Sequence, residues 1–174
     1  MHKTTYPFLF VICLFLTGCS TIRSSVNYTN GTSCLEEGDY ANAVIYLKKA
    51  VQLDPCMSRN QTNLSAAYCA LGEFDMAWYH ARLAVICIEI NPNQKNQPAY
   101  TNFFSLYNHC VKEKGLDRVG TLLEEVIDKL GKPDFSRQSD DGTEEDLFYG
   151  IYGMRFKDGK LVSCELIELS TEIL

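Results

Sequence analysis

Gly38-Asp39-Tyr40-Ala41-Asn42-Ala43-Val44-Ile45-Tyr46-Leu47-Lys48-Lys49-Ala50-Val51-Gln52-Leu53-Asp54-Pro55 is the stretch that decides the fold. Ala43, Leu47 and Ala50 recur at three- to four-residue spacing and mark one buried face of a helix. Gly38 stands where a turn needs tight or left-handed backbone. Pro55 stops the helix, because proline cannot continue one. The pattern returns 34 residues later: Gly31 falls on Ser65, Cys34 on Tyr68, Gly38 on Gly72 and Tyr40 on Phe74. Ala43 falls on Ala77, Ala50 on Ala84 and Val51 on Val85. Alanines at these positions let antiparallel helices approach closely, and Tyr40 and Phe74 are expected to fill the gap to the preceding helix. The pattern predicts helices over about 24–37, 40–53, 58–71 and 74–90.

A 34-residue helix–turn–helix period is that of the tetratricopeptide repeat (TPR). Residues 38–43 and 49–55, with 72–77, closely resemble the opening and exit of the second helix of that repeat. The resemblance implies two repeats, about 24–57 and 58–91, within 19–90. It also implies a concave groove, lined by the first helix of each pair, that takes extended or helical peptide. The groove residues would be Tyr28, Thr32, Leu35, Thr62, Asn63 and Ala66, with Thr29, Glu36, Cys69 and Ala70 beside them. The subfamily that grips carboxylate tails of chaperones uses lysines, arginines and asparagines there. Tyr28 and Thr32 stand where Lys and Asn are wanted, and only Asn63 matches, so that activity is not expected.

Two repeats rarely bury a continuous core; about three are needed. Residues 91–99 form a polar loop, and nine inserted residues there carry Gly72 onto Gly115. A degenerate third pair is expected over 100–130, with helices at 100–114 and 117–130 and Gly120 keeping the small position. Asp117 replaces the aromatic and Ile127 an alanine; Gly131-Lys132-Pro133 ends the last helix. Residues 131–174 differ in kind. Asp134 to Asp146 reads as an acidic loop with six carboxylates and one arginine. Leu147–Tyr149, Tyr152–Phe156 and Leu161–Leu169 carry strand-forming residues, and Asp158-Gly159 is a hairpin signal. A meander of two or three strands is expected to pack on the helices of 100–130, since an isolated small sheet is marginal in water. The fold class is therefore mainly α, antiparallel helix pairs followed by a small antiparallel β-meander.

Residues 116–167 have the order helix, then strands, and resemble the small lipoprotein of the outer-membrane β-barrel assembly machine. The resemblance is carried by Glu125-Val126-Ile127-Asp128-Lys129-Leu130-Gly131-Lys132-Pro133-Asp134 and by Phe156-Lys157-Asp158-Gly159-Lys160-Leu161. The acidic insertion and the lack of a tryptophan in the first strand depart from that pattern.

The N-terminus reads as an address. Met1-His2-Lys3 is a basic start, and Phe8–Leu16 is an apolar run too short for a membrane span of about 20 residues. Leu16-Thr17-Gly18-Cys19 resembles the lipobox of bacterial lipoproteins. That family implies a signal peptide over 1–18, cleavage before Cys19, and fatty acyl chains such as palmitate on Cys19. Ser20, being non-acidic, implies export to the outer membrane, facing the periplasm. An ordinary signal peptide and an uncleaved anchor are the competing readings. A linker of about five extended residues, spanning under about 20 Å, is expected between Cys19 and the first helix.

Composition excludes several classes. The chain has 174 residues, 46% hydrophobic and 22% charged, unlike a polytopic membrane protein, a collagen-like chain or a disordered one. A formal charge of −6 argues against nucleic acid as a partner. There is no Gly-rich phosphate loop. Six cysteines follow Cys19: Cys34, Cys56, Cys69, Cys87, Cys110 and Cys164. No C-x-x-C occurs, so neither thioredoxin-like chemistry nor a zinc site has a signal. Cys56 and Cys87 are the pair to test for a disulfide, against buried cysteines acting as small hydrophobes. His80 and His109 have no nucleophile partner in the sequence pattern. The run Asp140–Asp146 lacks calcium-ligand spacing. Four glycosylation sequons start at Asn27, Asn30, Asn60 and Asn63, and Asn30 is expected on a core-facing side. No catalytic set, metal, cofactor or small-molecule substrate is expected. The expected function is a non-catalytic, membrane-tethered periplasmic scaffold or assembly factor that binds envelope or outer-membrane proteins. The alternatives are a pilotin-like chaperone for one outer-membrane client, or a thiol-dependent or cell-wall-acting enzyme.

Overall fold

A computed structural model describes residues 7–94 and 96–166, with side chains from Thr21 onward. Its helices are α1 (Pro7–Glu36), α2 (Tyr40–Leu53), α3 (Ser58–Ala70), α4 (Phe74–Ile90), α5 (Gln97–Tyr107) and α6 (Leu123–Leu130). The strands are β1 (Phe135–Gln138), β2 (Glu144–Tyr149), β3 (Tyr152–Lys157) and β4 (Lys160–Leu166). The fold is mainly helical, in packed pairs, with one small antiparallel sheet at its end.

The turns within the helix pairs share one geometry. Gly38, Gly72 and Gly115 adopt φ of +79°, +76° and +70°. In each turn the next residue's N–H reaches five residues back: Asp39 to Cys34 C=O at 2.8 Å, Glu73 to Tyr68 C=O at 2.9 Å, and Leu116 to Val111 C=O at 3.0 Å. The glycine N–H reaches three back, to Leu35, Cys69 and Lys112. Left-handed backbone is nearly free for glycine and costs other residues about 1–2 kcal/mol. One turn geometry thus recurs at all three glycines. Asp39 then caps α2, its carboxylate accepting from Asn42 N–H at 3.2 Å and Asn42 Nδ2 at 2.7 Å.

Close helix approach follows from the small residues. Ala43, Ala50, Ala77 and Ala84 are wholly enclosed. At Gly31 an added Cβ would lie 2.6 Å from Leu47 Cγ, so α1 and α2 touch backbone to side chain. Ser65, 34 residues further on, is also enclosed; Ser65 Oγ donates to Ala77 C=O at 2.7 Å and accepts from Asn102 Nδ2 at 2.8 Å. Ser24 Oγ donates to Ala50 C=O, and Asn60 Nδ2 donates to both, tying α1, α2 and α3 together.

The sheet runs β1-β2-β3-β4, each neighbour antiparallel. Asp158 (φ +50°) and Gly159 (φ +74°) form the expected tight turn between β3 and β4. Leu147, Tyr149, Met154, Phe156 and Leu161 are buried. Tyr152 stacks on Tyr107 with centroids 3.8 Å apart and on Phe103 at 6.0 Å. Gly150, at φ +66°, presses the β2–β3 turn onto Phe103 and Val85. The sheet thus packs on α4 and α5, not on residues 100–130 alone.

Several expectations need correction. Residues 117–130 do not form one helix: only Leu123–Leu130 does. Gly120, at φ +95° and exposed, is a turn rather than a small helix position. Its N–H donates to Leu161 C=O, Thr121 C=O accepts from Leu161, and Leu123 N–H donates to Gly159 C=O. The edge of β4 offers partners that the first half of that helix would otherwise forgo. The acidic segment 134–146 is not a plain loop, since β1 and half of β2 lie in it. The last strand is Lys160–Leu166, and residues 167–169 lie outside the described residues. Tyr40 and Phe74 are more than a third exposed, and Phe74 meets His109 of the following pair, at 4.3 Å, rather than a preceding helix. Asn30 is exposed. Finally, α1 passes through Cys19 without a break. The five residues before Ser24 therefore rise about 7 Å as helix, instead of spanning an extended linker.

Candidate functional site

The first helices of the pairs, α1, α3 and α5, lie side by side and leave a cleft of about 730 Å³ between α3 and α5. Thr62, Asn63 and Ala66 line one side, and Pro98, Thr101 and Asn102 the other. Every lining group is neutral. Thr62 Oγ1 donates to Ser58 C=O and accepts from Asn96 Nδ2 at 2.9 Å, so its orientation is fixed. Asn63 Nδ2 donates to Thr32 Oγ1 at 3.0 Å, and Thr32 Oγ1 donates to Tyr28 C=O at 2.9 Å. A chain of hydrogen bonds therefore crosses from α1 to α3. Such a surface presents amide and hydroxyl groups at fixed places with one small side chain, Ala66, giving access. It suits an extended peptide held through its backbone.

Of the six groove residues implied by the repeat resemblance, Thr62, Asn63 and Ala66 meet in the cleft. Thr32 supports Asn63. Tyr28 lies under the Arg59 guanidinium, 4.7 Å from its ring centroid. Leu35 is half-buried against the hydrophobic core and does not line the α3–α5 cleft. The far wall, from α5, is the part that sequence reasoning missed. Pro98, Thr101, Asn102 and Ser105 recur at helical spacing, which was the available signal.

Cys56 and Cys87 are neighbours. Cys56 is exposed at the turn into α3, Cys87 is buried near the end of α4, and both are thiols. Burial and then a hydrogen bond with Cys56 push the Cys87 thiol well up. Gln94 clamps the place, its Nε2 donating to Cys56 C=O at 2.7 Å and its Oε1 accepting from Ser58 N–H at 2.7 Å. Under an oxidising dithiol–disulfide buffer, non-reducing peptide mapping is expected to recover a fragment linking residues 56 and 87. Alkylation of both thiols under that buffer contradicts the pairing.

The histidines are apart. His80 Nδ1 lies 2.8 Å from Gln61 Oε1, and Gln61 Nε2 donates to Pro55 C=O at 2.7 Å. Burial, and then the Lys48 charge, bring His80 down to about 4, so it is neutral at pH 7 and Nδ1–H is the donor. His109, in the π-helical segment Asn108–Lys112 that continues α5, lies 3.2 Å from Glu113. In the acidic segment, Asp141 Oδ1 accepts from Ser139 Oγ, Thr143 N–H and Thr143 Oγ1; these bonds bring its carboxyl down to about 2. Asp146 accepts from Arg155 Nε at 2.8 Å and Arg137 Nη2 at 2.7 Å. Both carboxylates thus hold the β1–β2 hairpin. Among the described residues no group of three or more His, Cys, Asp or Glu is placed to hold a metal ion. Cys19 has its backbone in α1, and its side chain, the implied lipid site, lies outside the described residues, as does the start Met1-His2-Lys3. No described helix is long and apolar enough to cross a membrane. The chain matches no protein-family model and no curated protein at a significant level of similarity.

Proposed function

We propose that this protein is a lipid-anchored scaffold or assembly factor of the bacterial envelope, with its TPR-like body in the periplasm and no catalytic role. Its chief support is the neutral cleft between α3 and α5, where uncharged donors and acceptors are held in place by bonds within and between neighbouring helices. Partners are proteins of the envelope or outer membrane, engaged as extended peptide. The lipobox-like Leu16-Thr17-Gly18-Cys19 supports the anchor. Two buried acyl chains suffice for stable attachment, at about 0.8 kcal/mol per CH₂. With α1 helical through Cys19, the first repeat would stand within about 10 Å of the lipid attachment point.

Cys19→Ala is expected to shift the full chain from the membrane to the soluble fraction on cell fractionation. Retention in the membrane fraction rejects the anchor. Mild cross-linking of intact membranes, followed by purification of the full chain, is expected to recover a protein partner; recovery of none rejects the scaffold.

A further inference from the structure

A second cleft, of about 560 Å³, lies between α4 and the end of α6 with the segment that follows it. It shares no lining residue with the α3–α5 cleft. Its wall on α4 carries Trp78, Tyr79 and Arg82; opposite stand Lys129, Lys132 and Asp134. Arg82 is 4% exposed, a rare placement for arginine unless it is well paired. Here the pairing is poor. Nη1 is 3.6 Å from Asp134 Oδ2 and 3.5 Å from Lys132 C=O, whereas good guanidinium–carboxylate bonds are about 2.7–2.9 Å. Asp134 Oδ2 is already taken by Gly150 N–H at 2.7 Å. Arg82 Nε–H and Trp78 Nε1–H are buried with no partner among the described residues. An unpaired buried donor is destabilising, and native proteins leave few. The guanidinium is held where it is by three rings, with its carbon 5.1 Å from the Tyr149 centroid, 5.6 Å from Trp78 and 6.0 Å from Tyr79.

We propose that this cleft is a binding site for a carboxylate carried on an apolar group, which Arg82 takes through its fork of N–H donors. A planar guanidinium matches a carboxylate in two parallel hydrogen bonds. The volume is in the range of small-ligand sites. Trp78, Tyr79 and Leu83 supply the apolar wall. Lys132, which forms no ion pair with any described residue, adds positive charge at the rim, while Lys129 is paired with Asp128 at 2.9 Å. Asp75 and Asp128 also line the cleft, so a doubly charged anion such as phosphate is disfavoured relative to a single carboxylate. The carboxylate could belong to a free organic acid or to a peptide C-terminus; the chemistry of capture is the same.

Trp78 is the one tryptophan of the chain, so its fluorescence reports the cleft directly. Full chain titrated with N-acetyl-leucinate is expected to show a saturable change in emission, and N-acetyl-leucinamide none. Lys132→Ala, at an exposed position, is expected to weaken binding a few-fold. Arg82→Lys is expected to weaken it at least tenfold with an unchanged circular dichroism spectrum. Should Arg82→Lys fail to fold, the acid–amide comparison and Lys132→Ala carry the test. A hexapeptide ending in a free leucine carboxylate that binds tenfold tighter assigns the site to a chain end; equal binding assigns it to a free acid. No saturable response to the acid, an equal response to the amide, or an equal response to inorganic phosphate overturns the proposal.

Discussion

Gly150→Ala is expected to cost the fold roughly 2–5 kcal/mol, the sum of a left-handed backbone penalty of about 1–2 and an overpacking cost of about 1–3. Gly150 sits at φ +66°, where a side chain is strained. The added Cβ would meet Phe103 Cε2 at 2.6 Å, Phe103 Cζ at 3.0 Å and Val85 Cγ2 at 3.3 Å. Phe103 cannot step aside, because it is wholly buried and stacked between Trp78, at 5.2 Å, and Tyr152. For a chain of this size the change corresponds to a Tm lower by roughly 5–15 °C. Gly159→Ala is the control: its φ is +74°, but nothing lies within 4 Å of its Cβ position. It is expected to cost only the backbone share, about 1–2 kcal/mol. Thermal melts of the two variants beside the parent check this. Equal losses would show that the β2–β3 turn does not press on α4 and α5.

Acid is expected to weaken the fold through His80 before it reaches the paired carboxylates. His80 in the fold sits at about 4, against an ordinary 6.5. A depressed histidine is neutral in the fold but charged in the unfolded chain below pH 6.5. Its stabilising contribution is full above about pH 6.5 and is lost progressively as pH falls toward 4. The full shift is worth up to about 3 kcal/mol, most of it gone by pH 4.5. The physical cause is enclosure: the ring stacks on Tyr68 with centroids 5.6 Å apart, and its Nδ1–H is used by Gln61. Asp146 and Asp141 are held low by their own partners and contribute their losses further down the scale. Urea midpoints at pH 7.5 and pH 4.5 are expected to differ strongly in the parent and much less in His80→Gln. The same pH dependence in both would remove His80 from the account.

The helix pairs were legible because their constraints are local. Gly38, Gly72 and Gly115 answer to backbone geometry, and Ala43, Ala50, Ala77 and Ala84 answer to helix spacing. Both leave marks in a single chain. The β3–β4 turn was legible for the same reason, at Asp158-Gly159. Where partners are distant in sequence, the pattern fell silent. β1 is Phe135-Ser136-Arg137-Gln138, exposed throughout, with no alternation to reveal it. It exists because β2 pairs with it and because Arg137 reaches Asp146. The 34-residue spacing predicts helix over 117–122, but Val119, Gly120 and Thr121 are weak helix formers and the edge of β4 takes their backbone instead. Leu35 has groove spacing, yet it turns to the core. The cleft at Arg82 left only one faint mark: a charged residue between Ala81 and Ala84 on an apolar helix face.

Site-specific photo-crosslinking in intact membranes tests the scaffold most directly. A photoreactive residue would replace Ala66 or Thr101 in the α3–α5 cleft, or Glu124 on the exposed side of α6. The account predicts the same discrete protein adduct from positions 66 and 101, and none from 124. Adducts at all three positions alike, or at none, would contradict it.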